Sequence, residues 1–330
     1  MGADALSDVL RAVRLTGAVF FNLDVKAPWV AETPTAARCV PYVMPSAGFL
    51  IEYHVVTRGS CWGGLVGEEP VRLQTGDIIV FPQGGAHVLS SAPGMRFTPD
   101  MTYYEGAEQI QLPFQLQFGG EGPDGAGVVC GFLGCDARPF NPLLAALPRF
   151  LHLPASSPHR SAWLNHILQA AVDESVNKRS GGESVLGRLS ELMFIEVVRS
   201  YVQTLAAGET GWLAGLADKH IAAALNAMHG KPAQAWTLEE LARTAGLSRS
   251  AFAERFTQVI GQPPIQYLTE WRMQLATGLL ANSKDSVAQI AVQVGYESEA
   301  AFSRAFKKLI GSPPAEWRRV QAVRRKDEAA

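Results

Sequence analysis

A chain of 330 residues with 47% hydrophobic and 18% charged residues has material for two or three domains, each with its own core. Three features exclude other classes: no apolar run approaches the ~20 residues of a membrane span, Asp4 and Asp8 stand where a secretory signal needs positive charge, and the four cysteines lack zinc-ligand spacing. The net charge of −2 is uneven: residues 218–330 hold fifteen Lys and Arg against eleven Asp and Glu (+4), and the remainder fourteen against twenty (−6). A cytoplasmic protein with a modestly basic C-terminal third is the expectation, and such a third suits a DNA-binding module joined to something else.

From about Gly17 to Phe118 the chain is rich in β-branched and aromatic runs broken by Gly and Pro, as at residues 51–56, 78–81 and 115–118. Such runs predict short strands of a sandwich or barrel. One run is sharper: Gly76, five residues, Pro82, one residue, Gly84, two residues, His87. It resembles the second conserved motif of the cupin family. The resemblance implies a turn into a strand at Gly76 and Asp77, a second turn shaped by Pro82 and Gly84, and His87 pointing into a barrel. Gly48, five residues, His54 begins the family's other motif, but Val56 occupies its second histidine position and no glutamate follows at the family's distance. A catalytic metal takes about three protein ligands, and two histidines are too few, so no metal or other cofactor is expected. His54, Trp62 and His87 are the candidate effector pocket, with Phe49, Tyr53 and Phe81 beside them. The same residues also read as plain core.

Cys130 and Cys135 are five apart in a predicted strand and turn, and on a straight strand that odd spacing puts them on opposite faces. With Cys39 and Cys61 they read as buried, inert thiols, oxidation sensing being the alternative.

Helices follow. Residues 141–153 start with Pro142 in the first turn. Residues 163–176 put Leu164, Ile167, Leu168, Ala171, Val172 and Val176 on one face. Residues 184–205 carry two apolar sets: Leu186, Leu189, Met193, Val197 and Tyr201 on one, and Val185, Leu192, Ile195 and Val202 about 100° round the helix. One side faces its own domain; the other faces either the same subunit or a partner chain. Residues 206–211 read as a linker.

The C-terminal third repeats itself. Residues 237–247 are followed by Phe252, Phe256, Gly261, Pro263 and Pro264; residues 286–296 are followed by Phe302, Phe306, Gly311, Pro313 and Pro314. The offset is 49 up to the first glycine and 50 afterwards, so one residue is inserted between the two helices of the second copy. Each copy reads as helix, glycine turn, helix, with Ser248 an N-cap and Gly261 and Pro263 a stop. Between them, residues 265–282 predict one helix of about 27 Å with Tyr267, Trp271, Leu275 and Leu279 on a stripe. Such a strut lets two recognition helices enter successive major-groove segments ~34 Å apart.

Residues 218–319, about a third of the chain, resemble the DNA-binding domain of the AraC/XylS family of transcription regulators. The second copy carries the family pattern as Ile290-Ala291, Val294-Gly295-Tyr296, residues 302–308 and residues 311–319, and the linking helix fits as well. The N-terminal region in turn resembles the cupin-type sensor domain of that family. Together these imply an α+β chain of two domains. Residues 1–207 form a cupin-like sensor and dimerisation domain, with a β-barrel at about 17–118 and a helical layer at about 141–207. Residues 212–330 form an all-α double helix-turn-helix.

The implied function is a one-component, effector-responsive, sequence-specific transcriptional regulator, an activator or a repressor. Its implied partners are double-stranded DNA, a small-molecule effector, a second copy of the chain and RNA polymerase. No Ser-His-Asp or Cys-His catalytic set is legible, so an enzyme is not expected; a cupin-type enzyme with an accessory DNA-binding domain is the alternative, and an architectural DNA binder the third reading. By position in the family motif, Ser250, Ala253 and Glu254 read bases in the first copy, and Glu299, Ala300 and Arg304 in the second. Arg304 leads, since Arg pairs bidentately with guanine for ~1–3 kcal/mol. Arg249, Arg255, Lys307 and Lys308 are assigned to phosphates or local folding.

Overall fold

The computed structural model describes residues 4–45, 47–104, 112–135, 140–206 and 208–327. They fall into two units: residues 15–136 with 147–204, and residues 1–14, 137–146 and 205–330. Ala207 of the expected linker lies outside the described residues.

The chain opens with α1 (Ala5–Val13), which belongs to the second unit. Among the described residues the first unit has nine strands: β1 (Thr16–Lys26), β2 (Val30–Thr33), β3 (Phe49–Leu65), β4 (Val71–Gln74), β5 (Ile78–Phe81), β6 (His87–Ser90), β7 (Phe114–Gly119), β8 (Gly125–Cys135) and β9 (Leu151–Leu153). Helix α2 (Ala36–Val43) lies between β2 and β3. The strand order is β2-β6-β3-β8-β1-β7; β4 and β5 also pair with β3, and β9 pairs with β5.

The long strand β3 makes this a half-barrel. Its first half lies between β8 and β5, its second between β6 and β4. The register against β8 shifts between Val56 and Arg58, so one extra residue re-aims the strand. Because side chains alternate, the shift reverses which residues face inward. Before it, Leu50, Glu52, His54 and Val56 point to the interior; after it, Cys61 and Leu65 do. Gly59, at φ +72°, lets the bend form where a Cβ would strike the Gly125 carbonyl.

The sheet extends beyond residue 118, where the sequence closed the barrel. β8 is central, flanked by β3 and β1, and is buried from Ala126 to Cys135. The expected helix at 141–153 is also different: α3 (Pro142–Ala146) stops, and residues 151–153 become β9. Pro148 explains the break, since a helix-interior proline lacks the N–H and clashes with the preceding turn.

Helices α4 (Ala162–Asn177) and α5 (Gly182–Thr204) cover the outer face of the sheet. Gly17 and Gly187 bring β1 and α5 so close that a Cβ on either would meet the other's backbone. Tyr53 donates from its hydroxyl to Ser190 Oγ (2.5 Å), and Ser190 donates to the Leu186 carbonyl (2.8 Å). One apolar side of α5 is therefore buried, through Leu186, Met193, Phe194 and Val197. On the other side Val185 and Leu192 are exposed by 45% and 41%, and Ile195 and Val202 are half-buried.

The second unit is helical: α1, α3, α6 (Trp212–Ala217), α7 (Lys219–Gly230), α8 (Leu238–Ala245), α9 (Arg249–Ile260), α10 (Pro264–Asn282), α11 (Val287–Gln293), α12 (Glu299–Ile310) and α13 (Pro314–Asp327). The Ala5 amide donates to Asn226 Oδ1 (2.9 Å), and Ala5, Val9 and Val13 are buried as α1 packs on α7 and α10. Phe140 meets Tyr267 edge-on at 5.5 Å. Residues 4–14 and 140–146 thus pack with the C-terminal helices, although the sequence grouped them with the N-terminal domain.

α10 serves two cores in succession, which is why its burial exceeds the single predicted stripe. Tyr267 and Trp271 pack with Phe256 and His229, whereas Met273, Ala276 and Leu280 pack with Ile290, Phe302 and Phe306. Arg272 bridges the halves: it donates to the Pro232 and Gln234 carbonyls (2.7 and 2.8 Å) and lies over the Tyr296 ring.

Candidate functional site

The two C-terminal repeats are built by the same local devices. Thr237 with Glu240, and Ser286 with Gln289, form complete capping boxes at the first helix of each copy. Each first helix ends on a glycine at positive φ, Gly246 at +69° and Gly295 at +84°, and the next amide reaches back to a carbonyl five residues earlier, Leu247 to Ala242 (3.0 Å) and Tyr296 to Ala291 (2.9 Å). Each second helix starts on a capping serine, Ser248 or Ser298, and stops at Gly261 or Gly311. The inserted residue lies between Gly295 and Ser298, and it lengthens only the turn. Phe252, Phe256, Phe302 and Phe306 are fully buried.

The faces turned outward differ. Ser250 and Glu254 are exposed and Ala253 is half-buried on α9; Glu299, Ala300 and Arg304 are all exposed on α12. On α9 both arginines are engaged inside the chain. Arg249 pairs with Glu239 (3.0 Å), and Arg255 donates twice to Asp218 Oδ2 (2.9 and 2.6 Å) while Oδ1 of the same carboxylate caps α7. Arg255 is therefore tied into local folding. On α12, Arg304, Lys307 and Lys308 are exposed and have no ion-pair partner among the described residues.

The half-barrel holds an open-mouthed pocket of about 660 Å³, within the ~300–1,000 Å³ of sites for drug-sized molecules. Phe21, Trp29, Tyr104, Leu116, Phe118 and Phe132 supply apolar walls, and Glu52 and His54 are polar groups in the lining. Of the predicted pocket, His54 lines it. His87 lies behind His54, fully buried and stacked on Phe81 at 3.8 Å. Trp62 does not line it: it follows the bulge in β3 and belongs to the opposite face from Cys61. Tyr53 also faces away, toward α5.

The hydrogen bonds settle which ring atoms carry protons. His87 Nδ1 is 2.9 Å from the Gly85 carbonyl, which only accepts, so Nδ1–H donates. Burial holds His87 down to about 4 despite that bond, so the ring is neutral at pH 7 and its Nε2 is an acceptor. His54 Nε2, 2.7 Å away, therefore donates to it, leaving His54 Nδ1 a buried acceptor with no partner among the described residues. Burial, then the neighbouring His87, pushes His54 well below the ordinary histidine range. Glu52 was missed in the sequence because the family motif directs attention after His54. Strand periodicity would have found it, two residues earlier on the same face. It is 1% exposed, neither carboxyl oxygen has a hydrogen-bond partner among the described residues, and burial pushes it well above the ordinary carboxylate range. At 3.7 Å from His87 Nε2 it is too far to bond. Among the described residues no group of three or more His, Cys, Asp or Glu is arranged to hold a metal ion.

All four cysteines are buried and unbridged. Burial pushes Cys39 and Cys61 up to about 12 and Cys130 higher still, so the reactive thiolate form is suppressed. No helix among the described residues is long and apolar enough to cross a membrane.

Comparison with known proteins places these features in a family. A model described as Cupin matches residues 4–203, and one described as Helix-turn-helix domain matches residues 241–320. A Streptomyces lividans protein named as an AraC-like transcription regulator is 31% identical over 317 residues, 96% of this chain and 98% of its own. The HTH-type transcriptional regulator AlkR of Acinetobacter baylyi is 28% identical over 319 residues, 96% of this chain and 99% of its own. The DNA-binding domain of AdpA, crystallised with a target DNA, is 31% identical, covering 33% of this chain and 97% of its own, with a TM-score of 0.32. The chain therefore belongs to the AraC-like family of DNA-binding transcription regulators, with a cupin-type N-terminal domain and a C-terminal helix-turn-helix domain.

Proposed function

We propose that this regulator reads its operator chiefly through α12 and that a small molecule held in the half-barrel sets its activity. The observation that carries the first part is the uncompensated positive face of α12, where Arg304, Lys307 and Lys308 meet no carboxylate among the described residues. Unpaired cations on a recognition helix add base readout and phosphate attraction; cations already paired on α9 must first break an ion pair. Arg304 is the base reader, helped by Glu299 and Ala300; Ser250, Ala253 and Glu254 make a weaker set. Lys307, Lys308 and Arg249 act on phosphates.

Residues 1–207 act as the sensing and dimerising part and residues 212–330 as the DNA-binding part. The exposed Val185 and Leu192 of α5 support a homodimer through that helix. In this reading the protein is a cytoplasmic, non-enzymatic activator whose effector changes how it engages DNA or recruits RNA polymerase. Such control requires the effector to bind two arrangements with different affinity. Arg304→Ala tests the core of the proposal: operator affinity falls while affinity for random DNA changes little. An equal loss on both assigns Arg304 to phosphate and overturns its role as base reader.

A further inference from the structure

The two helix-turn-helix copies are carried by one helix, α10, and an arginine stands at the seam between them. We propose that Arg272 is a positioning residue that fixes the second copy against the first, and so sets which spacing between the two halves of a DNA site one chain accepts. This rests on the reading that α9 and α12 both enter the duplex.

The need for such a residue follows from geometry. Among the described residues, neither α8 nor α9 packs extensively on α11 or α12. Trp271 belongs to the core of the first copy and Met273 to that of the second. A helix of 19 residues curves rather than staying straight, so two cores on one helix leave the angle between the copies to a third contact. That angle matters on DNA. Each base pair added between two half-sites moves the second by about 3.4 Å and turns it by about 35°.

Arg272, between Trp271 and Met273, supplies the third contact. Its Nε and Nη2 donate to the Pro232 and Gln234 carbonyls (2.7 and 2.8 Å). Those carbonyls belong to a braced segment that runs straight into α8: Trp236 Nε1 donates to the Lys231 carbonyl (3.0 Å), and Thr237 caps the helix. The same guanidinium lies 5.9 Å from the centre of the Tyr296 ring, where cation–π attraction favours it. Tyr296 in turn meets Phe302 of α12 edge-on at 5.6 Å. A path of contacts therefore runs from the entry to α8, through Arg272, to the recognition helix of the second copy. The planar fork of a guanidinium spans two carbonyls at once, which the single charged point of a lysine does not.

The glycine turns point the same way independently. Gly246 and Gly295 occupy matching positions, both at positive φ. A Cβ on Gly246 would meet nothing within 4 Å, whereas one on Gly295 would lie 2.7 Å from the Ala233 carbonyl oxygen and 2.8 Å from Arg272 Nη2. The second turn is seated on the segment that leads into the first copy; the first turn faces open space.

The test is a ladder of duplexes offered to the full-length protein. A two-part site is obtained by selection from random DNA. Binding isotherms are then measured on that site, on versions with one base pair removed from or added to the spacer, and on duplexes carrying either half alone. The wild-type protein should lose at least about fivefold in affinity at either altered spacing. Arg272→Ala should bring the three spacings within about twofold of one another, and Arg272→Lys should do the same. Tyr296→Leu keeps both hydrogen bonds and should cut the discrimination to about threefold, which keeps the test open if the Arg272 variants do not fold. A merely structural loss would lower the active fraction and leave the ratios between spacings unchanged. Unchanged ratios in the folded variants overturn the proposal while both copies still read DNA. So does a wild-type protein that binds all three spacings within twofold. Equal weakening at every spacing in Arg272→Ala, restored by Arg272→Lys, assigns Arg272 to a phosphate and also overturns it. If one half alone binds as tightly as the whole site, only one copy reads DNA, and the two-copy reading falls together with the proposal.

Discussion

The two helix-turn-helix copies share a skeleton and differ on the surface. Capping boxes, glycine turns, capping serines and paired phenylalanines recur almost residue for residue. The outward residues do not recur: α9 presents arginines already bound to Glu239 and Asp218, and α12 presents Arg304, Lys307 and Lys308 with no such partner among the described residues. A repeated fold needs only its core and caps repeated. The outer face then diverges without cost to the fold, so equal folds do not imply equal shares of DNA reading.

The largest expected effect is one in which the copies behave alike. Phe252 and Phe302 are both fully buried at matching positions. Phe252→Ala and Phe302→Ala should each cost ~3–5 kcal/mol, as cavity-forming core substitutions do. Denaturant titrations of the full-length variants measure this. A difference of more than about 2 kcal/mol between them would show that the skeletons are not equivalent.

The next effect separates the copies. Arg304→Ala should weaken operator binding by ~1–3 kcal/mol and relax preference at one base pair. Arg249→Ala should cost less than Arg304→Ala, because its pairing with Glu239 already competes with DNA. Binding isotherms on a selected operator decide the order. A larger loss at Arg249 would reverse the assignment of the two copies.

A pH dependence separates the cores beneath them. Trp212 Nε1–H donates to Tyr267 Oη, and Tyr267 Oη is hydrogen-bonded to His229 Nε2, both at 2.7 Å. His229 is stacked on Trp271 and burial lowers it to about 3. The unfolded chain takes up this proton as pH falls below about 6.5, and the folded chain does not until about 3. Stability from this group is therefore complete at neutral pH and declines with acid through that window. Among the described residues, no buried His, Asp or Glu lies in the cluster under the second copy, which is built from Met273, Ala276, Leu280, Ile290, Phe302 and Phe306. At pH 5, hydrogen exchange should show α8 and α9 losing ~1–2 kcal/mol of protection relative to α11 and α12. Equal losses would place the acid-sensitive group elsewhere.

What was legible in the sequence follows the same division between local and distant. The repeat was readable because caps, turns and the Phe spacing are set within a few residues of one another. The strand runs and the cupin-like turn at Gly76 to His87 were readable for the same reason. β8 was legible only in part, as a strand and turn around Cys130 and Cys135 set outside the barrel, because its glycines at 125, 127, 131 and 134 lower strand propensity and serve distant neighbours; at Gly131 a Cβ would strike the Tyr53 ring. Trp62 was assigned to the pocket because nothing near it in sequence announces the bulge between Val56 and Arg58. Likewise, the docking of α1 depends on Asn226, more than two hundred residues away. In each of these cases the deciding contact lies far along the chain.

The smallest effect concerns phosphates, and it sharpens the comparison most cheaply. A cation that neutralises one phosphate contributes about one to the slope of log affinity against log salt. Lys307→Gln and Lys308→Gln should each lower that slope by about one, since both side chains are exposed and unpaired among the described residues. Arg255→Gln should leave the slope nearly unchanged, because Asp218 already holds the guanidinium through two hydrogen bonds. Its signature should instead be a loss of stability, because Asp218 both caps α7 and anchors Arg255. Asp218→Asn then serves as the converse: the asparagine still caps α7, its pull on Arg255 is weakened, and the slope should rise as the freed guanidinium reaches the DNA. If Arg255→Gln lowers the slope as much as Lys307→Gln does, the ion pair opens on binding and the first copy grips the backbone as firmly as the second.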